Sequence, residues 1–257
     1  MIYSGFYLRE YFFPHGCGGC GEALLNSEDA YFGLCTECRE FINSSFLEDK
    51  HCEFCGKPLI SEIKSCIPCR EKSDSVNGSY NEWISKLRIF FPYKGKYKNI
   101  LSSYKFGNHI EVGNLLADCL MTALNDFNLT SFCKEIFEDI AWVPVPPRPG
   151  KIKAQGWDQI EFLAGLLEKK YRQGRKNMPY LPVNRCLKRL HSLSQKILNR
   201  EERKTNLKGR ILCVKKPPET AVLFDDVFTT GATMNACAKA LMEGGTKKLY
   251  GVCLFYD

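Results

Sequence analysis

The pattern of apolar and polar positions divides the chain near residue 80. Before it, helical periodicity is confined to the first segment. There Phe6, Leu8, Tyr11, Phe12 and Phe13 suit a short amphipathic helix over 2–13 that Pro14 closes. The polar, turn-rich run SDSVNGS at 73–79 reads as a linker. Beyond it, short apolar runs alternate with helical periods. The runs at 89–93 (IFFPY), 140–145 (IAWVPV), 181–187, 211–214, 221–224 and 249–255 predict strands. Segments 94–106, 112–124, 159–171 and 231–243 predict helices. Such alternation predicts an α/β domain with a parallel sheet. The expected division is 1–79 and 80–257.

Composition supports a folded protein: 44% hydrophobic and 25% charged residues exclude a disordered or collagen-like chain. No stretch approaches the roughly 18 apolar residues that span a bilayer. Arg9 and Glu10 interrupt the first segment and no small-residue cleavage site follows, so a cytoplasmic location is expected. The net charge of +7 hides an asymmetry, with −5 over residues 1–80 and +12 over 81–257.

The 14 cysteines divide at the same place. Eight lie in four CxxC pairs: Cys17/Cys20, Cys35/Cys38, Cys52/Cys55 and Cys66/Cys69. The other six are single, and small buried apolar roles are expected for them. A CxxC turn presents two thiolates to one side of a tight loop, two corners of a tetrahedron. In a reducing compartment such pairs point to metal rather than disulfides. Eight ligands predict two closed, structural Zn²⁺ sites. Sequential and interleaved pairing both satisfy the spacing. A closed site has no open coordination position, so its role is to stabilise a segment poor in core residues. His15 and His51 precede pairs but are expected at the surface, since thiolates already fill the sites.

The sharpest motif is AVLFDDVFTTGAT at 221–233. An apolar strand leads to Asp225 and Asp226 at its carboxyl end, where α/β sheets bind ligands. Thr229, Thr230, Gly231, Ala232 and Thr233 then open a helix. Backbone N–H groups and the helix dipole at such a start favour an anion. Acids beside an anion cradle suit a sugar phosphate, with the carboxylates meeting ribose hydroxyls directly or through Mg²⁺. A plain helix cap by Thr229 is the bland alternative. No GxxxxGK[ST] occurs, which argues against a P-loop enzyme.

This run resembles the phosphoribosyl pyrophosphate (PRPP) signature of type I phosphoribosyltransferases. A second resemblance covers nearly the whole chain. The CxxC-rich start, FPYKGKYKNILSSYKFGN (91–108), VPVPPRPGKIKAQGWDQIEFLA (143–164), LKRLHSLSQKILNREERKTNLKG (187–209) and the signature follow the order of the ComF family, competence-associated phosphoribosyltransferase-like proteins. The resemblance implies a twisted parallel sheet with helices on both faces and an N-terminal double zinc ribbon. It implies Mg²⁺-PRPP as ligand, with Asp225 and Asp226 on the ribose and residues 229–233 on the 5′-phosphate. Arg148 would serve the pyrophosphate loop, while Arg189, Gln195, Arg203 and Asn206 would lie on a loop over the site. One departure stands out. The family pattern of arginine-glycine-aromatic-asparagine-glutamine reads Gln155-Gly156-Trp157-Asp158-Gln159 here, losing a positive charge and gaining an acid. Lys151 and Lys153 are candidates to compensate.

Two basic stretches complete the picture. Residues 86–108 carry six Lys+Arg and no acid, interleaved with Phe90, Phe91, Tyr93, Tyr97, Tyr104 and Phe106. Residues 185–216 carry eleven Lys+Arg against Glu201 and Glu202. Basic residues with stackable rings suit a single-stranded nucleic-acid groove, whereas a polyphosphate site also needs positive charge. Two functions follow: a phosphoribosyltransferase releasing pyrophosphate, or a non-catalytic single-stranded DNA-binding protein of DNA uptake. In the second, the zinc domain would dock a helicase or channel component.

Overall fold

The computed structural model describes residues 16–44, 52, 56–57, 59, 62–67, 70, 83–107, 109–127, 129, 139–173, 181–190 and 211–257. The expected helix over 2–13, the linker at 73–79, both histidines near the cysteine pairs and the 191–210 stretch lie outside these residues, as do Cys55, Cys69, Cys133, Gln195, Arg203 and Asn206.

Two short helices, α1 (Ser27–Phe32) and α2 (Thr36–Ser44), interrupt the cysteine-rich segment. They were invisible to apolar periodicity because α1 is fixed at its ends instead. The Asn26 side chain accepts from the Asp29 N–H, and Gly33 closes the helix at φ 63°. Four parallel strands, β1 (Lys86–Pro92), β2 (Ile140–Pro144), β5 (Thr220–Phe228) and β6 (Lys248–Tyr256), form a sheet in the order β1-β6-β5-β2. The short strands β3 (Leu187–Arg189) and β4 (Ile211–Cys213) pair antiparallel beside it. Helices α3 (Gly95–Phe106), α4 (Val112–Asp126), α5 (Lys151–Gln155), α6 (Gln159–Gln173) and α7 (Ala232–Glu243) complete the described elements.

The strands are apolar on both faces, as buried parallel strands must be. Trp142, Val222, Phe224 and Val252 pack into one core with α3, α4 and α6. Val143, Ala221, Leu223, Leu249 and Cys253 pack into a second core with Met234, Cys237 and Leu241 of α7. The expected α/β sheet with helices on both faces is therefore present. Three expectations need correction. Of residues 181–187 only Leu187 lies in a strand, as the first residue of β3. Val183 makes a single bridge to Trp142, flanked by Trp142 N–H donating to Pro182 O (2.8 Å) and Asn184 N–H donating to Trp142 O (2.8 Å). β5 runs past Phe224 to Phe228, so the acids lie within the strand. Cys213 is half-buried, whereas Cys119, Cys186, Cys237 and Cys253 are buried as expected.

The cysteine-rich segment is packed against the α/β body. Cys17, Leu34, Cys38 and Ile42 share the core of α3 and α4, and Asn114 Nδ2 donates to Tyr31 O (2.8 Å). At edge strand β1, the Ile89 N–H donates to Gly56 O (3.3 Å), which covers an edge that would otherwise offer itself to another chain. No helix among the described residues is long and apolar enough to cross a membrane.

Gly56 has φ 68°, and a Cβ there would lie 2.1 Å from the Leu87 carbonyl oxygen. Left-handed strain alone costs about 1–3 kcal/mol, and the clash is with backbone that cannot step aside. Gly56→Ala is expected to destabilise the protein by at least about 2 kcal/mol, read from the midpoint of chemical denaturation.

Candidate functional site

Two sites emerge, a thiol cluster and a cleft. The Sγ atoms of Cys17, Cys20, Cys35 and Cys38 all lie within 4.8 Å of one another, and Cys20 and Cys35 are 3.7 Å apart. A tetrahedral zinc with bonds of about 2.3 Å needs sulfurs about 3.8 Å apart, so the four thiols fit the ion. The pairing of the first two CxxC motifs is thus sequential. Burial would raise the Cys17 thiol, but N–H donors from Cys35, Cys20 and Gly19 outweigh it and lower it to about 7. Burial and hydrogen bonds with Cys17 and Cys35 push Cys38 well up. Metal binding therefore has to expel protons from this cluster.

The second half of the segment repeats the backbone of the first. Cys17 N–H donates to Glu22 O (2.6 Å), and Cys52 N–H to Lys57 O (2.8 Å). Gly21 N–H donates to Cys17 O (2.8 Å), and Gly56 N–H to Cys52 O (2.9 Å). Cys35 N–H points at Cys17 Sγ (3.2 Å), and Cys66 N–H at Cys52 Sγ (3.4 Å). Cys52 and Cys66 thus stand in one turn as Cys17 and Cys35 stand in the other.

The cleft opens between the carboxyl ends of β2 and β5. The chain leaves β2 toward α6 on one face and leaves β5 toward α7 on the other. Adjacent strands whose connections part in this way form the crevice where α/β sheets take ligands. It encloses about 420 Å³ and is lined by acids Asp158, Asp225 and Asp226 and cations Lys105, Arg148, Lys151 and Arg189, among others. Thr229 and Thr233 also line it. Thr230, Gly231 and Ala232 form the turn between them. Gly231 caps α7 at φ 75°, and Thr230 Oγ1 lies 3.4 Å from the Ala232 N–H. The cap is thus Gly231 rather than Thr229.

Asp226 is buried and accepts from Lys105 Nζ of α3 (2.7 Å) and Gln159 Nε2 of α6 (2.7 Å). Asp225 Oδ1 accepts the Asp226 N–H (2.8 Å). Lys151 Nζ donates to Asp158 Oδ2 (2.6 Å) and to Gln159 Oε1. Asp158 Oδ1 meanwhile accepts the Ile160 N–H (2.9 Å) and the Glu161 N–H (3.1 Å), capping α6. The acid that departs from the family pattern is thus a helix cap with a cation of its own. Of the two candidate substitutes for the lost arginine, Lys151 lines the cleft with Gln155, and Lys153 does not. Sequence reasoning missed Lys105 and Gln159 as site residues. Their signal lies in tertiary contact, from elements separated from Asp226 by 121 and 67 positions.

The profile of the double zinc ribbon domain matches residues 8–71. Competence protein F of Haemophilus influenzae is 29% identical over 243 residues, which span 93% of this chain and 95% of that protein. Competence proteins ComFC of Streptococcus pneumoniae and Bacillus subtilis are 27% and 26% identical over 87% and 82% of this chain, and 87% and 79% of their own lengths. Over most of its length the chain is thus similar to competence proteins F and ComFC. The expected stacking platform is corrected. Phe90, Phe91 and Tyr104 are buried, Tyr93 and Tyr97 pack against the core, and Phe106 is the exposed ring of the six. Five of the six rings interleaved with lysines thus belong to the core or pack against it.

Burial and the neighbouring Asp226 carboxylate push Asp225 up from 3.8 to about 8. Between those values the folded protein holds a proton that the unfolded chain has released, so this group's contribution to stability falls as pH rises. The thermal midpoint of the ligand-free protein is expected to decline from about pH 5 to about pH 8, and Asp225→Asn is expected to flatten that decline. Parallel profiles for the two proteins would refute the assignment.

Proposed function

We propose that this protein is a member of the ComF family, acts in competence and binds Mg²⁺-PRPP in the cleft between β2 and β5. The observation that carries the reading is the meeting, at one crevice, of two adjacent carboxylates, a helix N-terminus and four cations. Carboxylates accept from ribose hydroxyls, while the turn at 229–233 offers N–H groups to the 5′-phosphate. Arg148 and Lys151 suit the pyrophosphate, where Lys151 makes up for the charge absent at Gln155. Lys105 and Gln159 hold Asp226 ready for a hydroxyl. When bound, Mg²⁺ would lie with Asp225 and Asp226 and neutralise phosphate charge.

The reaction this arrangement suits is phosphoribosyl transfer. The bond from C1′ to pyrophosphate oxygen breaks, the electron pair leaves with pyrophosphate, and a nitrogen nucleophile bonds to C1′. The residues supply positioning and charge stabilisation rather than a covalent nucleophile. A second role, binding of single-stranded DNA, draws support from the net +12 of residues 81–257 and from exposed Lys86, Lys94, Lys98, Lys188, Lys215 and Lys216. It rests on charge, since the aromatic rings are core.

Calorimetric titration of Mg²⁺-PRPP is expected to show binding to wild type and at least about tenfold weaker binding to Asp225→Ala/Asp226→Ala, since a hydrogen bond to a charged group contributes about 1.5–3 kcal/mol. Equal affinity for the two proteins would overturn the site. Single-stranded DNA is expected to bind at low salt and dissociate steeply as salt rises, and no binding at low salt would remove the second role. Metal analysis of reduced protein is expected to return two zinc ions per chain, with the second site completed by Cys55 and Cys69.

A further inference from the structure

Helix α3 touches the thiol cluster and the cleft within three consecutive residues. Ser103 faces the turn between Cys17 and Cys20, and its Oγ lies 2.6 Å from where a Cβ on Gly18 would stand. Tyr104 and Lys105 face the other way. Tyr104 OH donates to Gln159 O (2.7 Å), and Lys105 holds Asp226. One turn earlier, Ile100 is fully buried against Gly19, whose absent Cβ would lie 3.3 Å from Ile100 Cγ1 and 2.8 Å from Cys38 Sγ. At the start of the helix, Tyr97 stacks on Phe91 (5.4 Å between centroids) and meets Phe41 of α2 (4.6 Å). Lys96 Nζ stands 5.0 Å from the centre of the Phe41 ring. The glycine turn meets α3 through the Ser103 and Ile100 side chains, with no Cβ of its own between them. Close-packed interiors transmit displacement rather than absorb it, so the conformation of the turn sets the position of the helix.

We propose that the first cysteine cluster is a positioning element for the cleft. Metal held by Cys17, Cys20, Cys35 and Cys38 fixes the Gly18-Gly19 turn. That turn seats α3, and α3 presents Lys105 and Tyr104 to Asp226 and Gln159. Opening the cluster lets α3 drift and releases the Lys105–Asp226 pair while the sheet stays formed. The positional claim rests on α3 alone. The proposed function enters only in naming the ligand whose binding the cluster tunes. Linkage then makes the effect mutual: a ligand that needs Lys105 and Asp226 in place tightens the metal site by the factor by which the metal tightens the ligand.

Trp157 reports on this wall, because its ring meets Tyr104 edge-on at 5.4 Å, whereas Trp142 is fully buried in the sheet. Full-length protein carrying 5-fluorotryptophan has three fluorine resonances, assignable by Trp→Phe substitutions. Opening the first cluster with Cys20→Ser/Cys35→Ser is expected to move the Trp157 resonance by more than its line width and leave that of Trp142 native. An unmoved Trp157 resonance overturns the proposal. So does collapse of all three resonances to the unfolded position, since the metal would then hold the whole fold rather than this wall. A second measurement uses wild type and chelator competition for zinc. Saturating Mg²⁺-PRPP is expected to tighten zinc retention at the first cluster by about fivefold or more. Unchanged retention with ligand bound overturns the coupling and leaves the ligand assignment intact. Failure of wild type to bind Mg²⁺-PRPP removes the functional reading and leaves the tryptophan experiment to decide the positional one.

Discussion

Two carboxylates side by side near the end of a buried strand are the constraint on which this structure turns. Neither tolerates full charge in that position without help. Asp226 obtains it from Lys105 and Gln159, each 2.7 Å away and each carried by a different helix. Without a ligand, Asp225 obtains it by holding a proton, since burial and the Asp226 carboxylate push it up to about 8, and a bound cation would displace that proton. The pair therefore needs α3 and α6 over the same end of the sheet, and the loop after β2 has to accommodate both. Lys151 extends the network through Gln159 and Asp158, so the three acids, Lys105 and Lys151 form one connected set of hydrogen bonds. A ligand bearing both phosphates and hydroxyls exchanges partners within that set rather than entering an empty space.

The thiol cluster belongs to the same set of dependencies. A zinc ribbon is commonly a separate module, and its acidic charge beside a basic body is consistent with one. In this protein Leu34 and Ile42 of the ribbon are fully buried in the core that holds α3 and α4. Gly56 of its second half caps the edge strand β1. The ribbon thus covers the sheet's edge and backs the helix that carries Lys105. Small residues make this possible: Gly18, Gly19 and Gly56 stand where no Cβ fits. Gly56 adds a positive φ that the turn requires.

Much of this was legible in the sequence because the signals are local. Four apolar residues before Asp225 give a buried strand, and the threonine-glycine run after it gives a helix start. Paired cysteines at CxxC spacing give thiolate corners. These patterns depend on neighbours a few positions away, and they determined the fold class, the four cysteines that cluster and the place of the acids along the chain. Two misreadings had one origin, since apolar runs do not say which side chains turn inward. Residues 181–186 look like a strand but meet β2 at one residue, and only Leu187 enters a strand, β3. The rings of 90–104 look like a stacking surface but fill the core or pack against it.

Tertiary structure alone decided which distant residues meet. The first two CxxC pairs close on each other because α1 returns the chain to them. Lys105 and Gln159 reach Asp226 because α3 crosses the carboxyl end of the sheet and α6 begins there. Asp158, an oddity in the motif, becomes a helix cap with Lys151 as its cation. Local spacing fixed what each residue offers chemically. Only packing, which joins segments with no sequence relation to one another, fixed the partner to which each is offered.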